Sequence, residues 1–356
     1  MSRGVFQYEY KLINGLSGDP AVYFFLPTYG RSMLFDLGVL DRISNKELLK
    51  VRDVYISHTH IDHFIGFDRF LRVNIPHGRL IAFTGPRGFI KNLESRMKSY
   101  TWNLLEPSQI KFLAREVHGD GRVLTAMITN DNFFDPIFDP EIAQPPAGGS
   151  VCADIILEDI SVQPVVLDHR TDSLGYHLKS PKRYQVNVDA ISENGWKPGP
   201  WIKSLQKAKC SNNIDKMIEI DDERWSVKEL SDKILTELAP FSLSYLTDFV
   251  FSRSNIEKIR KLMFGSELLF CESSFRDSDR LRAFEKKHLT TRQCALIGAL
   301  LCVKKLQCFH ISGIYGDNPE EVALEVSSFY DEYSQYSNDR ILDEVEKELI
   351  VMEKLS

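Results

Sequence analysis

Three histidines and an aspartate are packed into the segment His58-Thr59-His60-Ile61-Asp62-His63, directly after Asp53-Val54-Tyr55-Ile56-Ser57, which reads as a short buried strand. In extended backbone, residues two apart project to the same side, so His58 and His60 point together. Asp62 and His63, at the start of the following turn or helix, face the same space. Imidazole nitrogens and a carboxylate suit a zinc-like cation. The chain has only 9 histidines in 356 residues, which makes a chance run of surface histidines a poor explanation. Any fold for this sequence must therefore present a metal-binding cluster at a strand end.

Around the cluster, strand and helix signals alternate. Residues 8–13, 21–26 and 33–37 are β-rich runs parted by turn residues, which predicts an antiparallel meander ending at Gly38. Helical patterns cover 42–51, 89–98, 254–263, 290–304 and 319–333, and a charged amphipathic helix covers 338–355. Further strands are expected within 151–179 and at 243–247, 267–271 and 306–310. Residues 130–150 are rich in proline and glycine and read as an irregular surface connection; 180–213, Lys- and Pro-rich with two tryptophans, reads as a protruding excursion. The expected class is α/β (α+β).

A site holding two ions needs more ligands, and these too belong at strand ends. His169 closes Val165-Val166-Leu167-Asp168, Asp248 follows Leu243-Ser244-Tyr245-Leu246-Thr247, and His310 follows Leu306-Gln307-Cys308-Phe309. Alone, each reads as an ordinary hydrogen-bonded core or loop residue. Their shared position after a β-run makes them candidate ligands.

The order of these motifs, with a strand-end His before Ser173-Leu174-Gly175-Tyr176, then His288-Leu289-Thr290 and His310-Ile311-Ser312, resembles the ribonuclease Z branch of the metallo-β-lactamase superfamily from about residue 33 to 316. The resemblance implies a four-layer αβ/βα sandwich, a single domain over 1–356 with an exosite-like excursion at 180–213. It implies one metal held by His58, His60 and His169 and another by Asp62, His63 and His310, with Asp248 bridging both. The ions would be zinc, manganese or iron, zinc being the first choice. Cys271-Glu272-Ser273-Ser274 stands where that family has His-Glu-Ala-Thr, and it implies that Glu272 orients His288 beside the scissile phosphate. Asp62 would manage the proton of the attacking water. The segment from Trp196 to Lys209 resembles the family's Gly-Pro-containing tRNA-binding arm, with Lys197, Lys203, Lys207 and Lys209 as phosphate contacts. The sequence departs from the family at Ile13-Asn14-Gly15-Leu16, at Gly38-Val39-Leu40-Asp41, and at His310-Ile311-Ser312-Gly313-Ile314-Tyr315, which lacks the usual arginine.

The function expected is hydrolysis of a phosphodiester, first an endonucleolytic cut at the 3′ end of precursor tRNA. A small or cyclic-nucleotide phosphodiester is the alternative on the same site, and a catalytically idle member binding RNA or protein is the alternative of another class. The net charge of −6 argues against nucleic-acid binding through a surface basic all over. The N-terminal residues lack a charged start followed by an apolar core, and no stretch is apolar for long enough to span a bilayer, so a cytoplasmic protein is expected, a homodimer by resemblance. The 6 cysteines, without a CxxC pair, read as small core residues in a reducing compartment.

Overall fold

The computed structural model describes residues 8–27, 30–140, 155–157, 160–180, 183–238, 240–316 and 318–355. These form two compact units. The first draws on the described residues up to Ile155, on Val162–Leu178 and on those from Leu243 onward; the second draws on those of Ile156–Ser161 and Lys179–Ser242.

The first unit begins with the expected meander, in which β1 (Glu9–Leu12), β2 (Val22–Leu26) and β3 (Arg31–Phe35) pair antiparallel. β4 (Val51–Tyr55), β5 (Leu80–Pro86) and β6 (Lys111–Val117) then add in parallel. β7 (Val123–Thr129) and β8 (Ile137–Phe138) close the sheet antiparallel, giving eight strands in sequence order. A second sheet combines β9 (Ile155–Leu157), β10 (Ile160–Asp168) and β11 (Asp172–Lys179) with three later strands.

Between β11 and those later strands the chain builds its second unit. β12 (Arg183–Val186) pairs with β15 (Leu235–Leu238), and β13 (Met217–Ile220) forms a hairpin with β14 (Glu223–Ser226). Helices Val188–Glu193, Pro200–Cys210 and Val227–Ile234 pack with these over Trp196, Leu205, Ile218, Leu230 and Ile234. The predicted excursion at 180–213 falls within this unit, which continues to Ser242.

β16 (Ser242–Leu246), β17 (Leu268–Glu272) and β18 (Lys305–Phe309) are parallel and complete the second sheet in the order β18-β17-β16-β11-β10-β9. Parallel neighbours need a crossover, and helices Arg253–Met263 and Thr291–Leu300 supply it. Each sheet of the first unit buries helices on one face. Leu34, Val54 and Phe83 pack against Phe67, Phe70, Phe89 and Leu93, while Leu246, Leu269 and Cys271 pack against Ile256, Ile259, Leu296 and Leu349. The inner faces meet through aromatic rings: Phe35 stacks on Tyr245 at 5.3 Å between centroids, and Tyr55 lies 5.2 Å from Tyr176. Helix, sheet, sheet, helix is the four-layer sandwich the motifs imply.

Several local expectations need correction. The helix predicted over 42–51 is a single turn, Asn45–Leu48, closed by a Ser44/Glu47 capping box, because Val51 is taken into β4. The helix predicted to 304 stops at Leu300; Cys302 beyond it has φ 51°, which helical backbone does not allow. The irregular stretch 130–150 contains the edge strand β8, and its part from 141 lies outside the described residues. Cys271, Cys294 and Cys308 are buried as expected, but Cys210 and Cys302 are exposed, and Cys152 lies outside the described residues.

Candidate metal centre

The candidate residues sit where strands of the two sheets run out at their carboxyl ends, the usual ligand-binding edge of open α/β sheets. His58 follows β4, His169 follows β10, Asp248 lies just past β16, Glu272 ends β17 and His310 follows β18. Asp248 and His310 both have positive φ, 47° and 56°. A left-handed residue directly after a strand turns the chain sharply, and strain of this kind is tolerated where neighbouring structure fixes it. Asp62 and His63 ride on the short helix Ile61–Phe64. Gly66, just beyond it, admits no side chain: a Cβ there would fall on the Gly38 carbonyl oxygen.

Three overlapping groups result, each with one ligand atom per residue within 4.8 Å of the others: His58, His60, His169 and Asp248; Asp62, His63 and His310; and Asp248, Glu272, His288 and His310. Asp248 is the common member of the first and third. Its Oδ2 lies 3.7 Å from His58 Nε2, 3.4 Å from His63 Nε2 and 3.5 Å from His169 Nε2, while its Oδ1 lies 2.8 Å from His310 Nδ1. Asp62 Oδ2 stands 3.5 Å from His63 Nε2 and 3.3 Å from His310 Nε2.

The far sides of the rings are already committed. His63 Nδ1 donates to Asp36 at 2.8 Å, His169 Nδ1 to the Lys287 carbonyl at 2.9 Å, and His58 Nδ1 lies 3.1 Å from the Ser57 hydroxyl. Each such bond orients its ring and turns the other nitrogen into the cluster. His63 Nε2 and His310 Nδ1 are buried yet make no hydrogen bond of acceptable geometry. Buried ring nitrogens turned inward beside two carboxylates fit a divalent cation that takes the place of their protons.

Electrostatics agree with that fit. Burial, reinforced by His63, pushes His58 down to about 2 and keeps it a neutral donor. Burial also opposes charge on His310, but Asp248 and Asp62 outweigh it and push that imidazole up to about 10. His63 is raised for the same reason, by Asp248 and Asp36 against burial. Two carboxylates thus draw positive charge into this space, and a divalent cation held there would take the place of the protons on His63 and His310.

Glu272 is fully buried and accepts from His288 Nδ1 at 2.8 Å and from the Ser274 hydroxyl at 2.8 Å. His288 also lines a cavity of about 230 Å³ with His310, Phe275, Asp19 and Gly18. All nine predicted ligand and catalytic residues therefore converge, whereas Lys197, Lys203, Lys207 and Lys209 belong to the second unit. His77, His118 and His177 stand outside the three groups; His177 is held by the Ser244 hydroxyl at 2.8 Å. Sequence reasoning misses Asp36, Ser57 and Ser274, which orient the ring-bearing groups. Asp36 ends the apolar run Met33-Leu34-Phe35, the same signal that marks Asp248.

Among solved structures, the metallo-β-lactamase-fold protein YhfI from Bacillus subtilis aligns with a TM-score of 0.51 at 10% identity, covering 91% of this chain and 93% of that one. Fold and site define a metallo-β-lactamase-fold protein whose clustered histidines and carboxylates fit a divalent cation. Ribonuclease Z of Deinococcus radiodurans is 30% identical over 286 residues, which is 80% of this chain and 83% of the relative. Ribonuclease Z of Exiguobacterium sp. is 25% identical over 283 residues, 78% of this chain and 77% of the relative. No family model matches the sequence. The chain belongs to the ribonuclease Z family. No described helix is long and apolar enough to cross a membrane.

Proposed function

We propose that this chain is an endoribonuclease that cuts precursor tRNA at its 3′ end with two divalent ions, zinc before manganese or iron because the donor set is rich in imidazole. One ion is assigned to His58, His60 and His169, the other to Asp62, His63 and His310, and Asp248 is shared. The distribution of the two Asp248 oxygens, one toward His58, His63 and His169 and the other toward His310, supports the sharing. The protein is assigned to the cytoplasm and to a homodimer by family likeness. The second unit is read as an exosite-like excursion from a single metallo-β-lactamase domain.

The observation that carries the phosphodiester reading is the pair Glu272 and His288 at the edge of the same cluster. Bound divalent ions supply an acidified water and neutralise phosphoryl charge. Asp62, partly open to solvent, accepts the proton of the attacking water. His288, its Nδ1 engaged by Glu272, presents Nε2 to the cavity and donates to the leaving oxygen. Glu272 fixes that tautomer and favours the cationic ring. Lys197, Lys203 and Lys207 are exposed, and Lys203 and Lys207 share one face of the helix Pro200–Cys210, which supports contact with a phosphate backbone. Lys209 is half-buried with Nζ 5.7 Å from the Tyr184 ring centre.

The cavity of about 230 Å³ beside His288 favours a second reading, hydrolysis of a small or cyclic-nucleotide diester. A paired assay separates the two. Metal-loaded wild type should cut precursor tRNA at the 3′ end, and Asp62→Ala should not. Turnover of a chromogenic phosphodiester with precursor tRNA left intact would transfer the function to small diesters. A chain that carries fewer than two ions and cleaves neither would be the idle, binding member of the family.

A further inference from the structure

Glu348 is a carboxylate on the C-terminal helix Asn338–Leu355, only 3% exposed and outside the stretch that carries the ribonuclease Z motifs. Burying a charge is costly unless it is paired, so its partners define its purpose. Both of its oxygens are engaged, and both links lead to the same place. Oε1 accepts from Gln293 Nε2 at 2.8 Å. Gln293 is the third residue of helix Thr291–Leu300, and its amide oxygen accepts the Thr290 backbone N–H at 3.0 Å while Thr290 Oγ1 accepts the Gln293 N–H, closing a capping box. Oε2 lies 3.3 Å from Arg280, which pairs with Asp277 at 2.7 Å; Asp277 in turn accepts from the Thr290 hydroxyl at 3.4 Å and donates its N–H to Thr291 Oγ1 at 3.0 Å.

Thr290 stands two residues after His288. The segment between is held on both sides: His288 N–H donates to Ala283 of the helix that Arg280 opens, and Leu289 accepts from Phe275. We propose that Glu348 is a positioning residue of the catalytic site, fixing through Gln293, Arg280 and Asp277 the segment that aims His288. This rests on the role given above to His288. A carboxylate serving only to fasten one helix to the core would have no reason to send both links to the cap next to His288.

The test compares Glu348→Ala with Glu348→Gln, which keeps the acceptor for Gln293. On a chromogenic phosphodiester, Glu348→Ala should lower kcat by about tenfold, within the range for a small misplacement of a catalytic group, with KM changed less than about twofold. Glu348→Gln should recover most of that loss, and metal content should stay at the wild-type level in both. Independently of turnover, hydrogen exchange in the segment 287–294 should quicken in Glu348→Ala while the segment 53–64 keeps its wild-type rate. Wild-type kcat, a loss expressed only in KM, or unchanged exchange at 287–294 overturns the proposal. Should Glu348→Ala fail to fold, Arg280→Gln takes its place with the same readouts. If the wild-type chain hydrolyses nothing, the functional reading fails on its own, and the exchange comparison still judges the link.

Discussion

Asp36 accepts the Nδ1 hydrogen of His63 at 2.8 Å from a backbone position with φ 58°. The same carboxylate accepts the Ser57 N–H at 2.6 Å, the Ser57 hydroxyl at 2.7 Å and the Tyr245 hydroxyl at 2.7 Å. One buried acid thereby joins the end of β3, the loop after β4 and the inner face of β16, and leaves His63 Nε2 free to face a cation. Partners of ligating histidines typically matter by about 10–100-fold in metal affinity. Asp36→Asn, whose amide cannot serve all four donors, should weaken one of the two ions by that factor in a competitive chelator titration. Tyr245→Phe, which removes one donor only, should have the smaller effect. Tight binding of both ions by Asp36→Asn would contradict this account.

Metal uptake should release protons. His310 is held up to about 10, above its ordinary 6.5, by Asp248 and Asp62 acting against burial. A raised value means that the bound proton stabilises the metal-free fold fully below 6.5 and that this contribution is lost as pH rises through about 10. A cation must expel that proton, so apparent metal affinity should climb with pH by roughly tenfold per unit for each proton released. Titration calorimetry in buffers of different ionisation heat measures the number directly. Proton release of zero between neutral pH and about pH 8 would show that His310 is not displaced by the ion.

His288 should set the alkaline limb of activity. Burial alone would lower it, but Glu272 at 2.8 Å, helped by Asp248, raises it above its ordinary range. Its acid form therefore persists above the ordinary imidazole range and declines as pH rises through the raised value. Glu272→Gln removes the main raising influence and leaves burial, so the limb should move to lower pH and kcat at neutral pH should fall by about 10²-fold, the low end for a lost general acid. An unmoved limb would assign the acid to another group.

How much of this the sequence announces depends on how local the determinant is. His58 to His63 declare themselves because the ligands are consecutive, and Asp248 and His310 because each ends an apolar run at a strand's carboxyl end. Asp36 ends a similar run but stays hidden: its role depends on four donors from Ser57, His63 and Tyr245, which no sequence spacing reports. Helix Phe67–Asn74 is masked by its own composition, since Phe64, Phe67, Phe70 and Leu71 keep helical spacing but follow the motif without a break. The second unit beyond residue 213 escapes for a different reason. Its core residues Ile218, Leu230 and Ile234 lie in short, charge-rich elements that bury a side chain only once Trp196 and Leu205 have folded against them.

The lysines of that unit offer the sharpest test of substrate. Lys203 and Lys207 lie four residues apart on the exposed face of helix Pro200–Cys210, opposite Leu205 and Ala208, which are buried in the unit's own core. Reversing both charges therefore disturbs no packing in that unit and no residue of the metal cluster. If these side chains meet phosphates, Lys203→Glu/Lys207→Glu should raise KM for precursor tRNA, and the slope of log affinity against log salt should fall by about 1 for each phosphate no longer neutralised. Turnover of a chromogenic phosphodiester, which has no phosphate backbone for these lysines to meet, should stay at the wild-type rate. A double variant that binds precursor tRNA with wild-type KM and salt slope would remove this helix from substrate recognition and leave discrimination to the cavity beside His288.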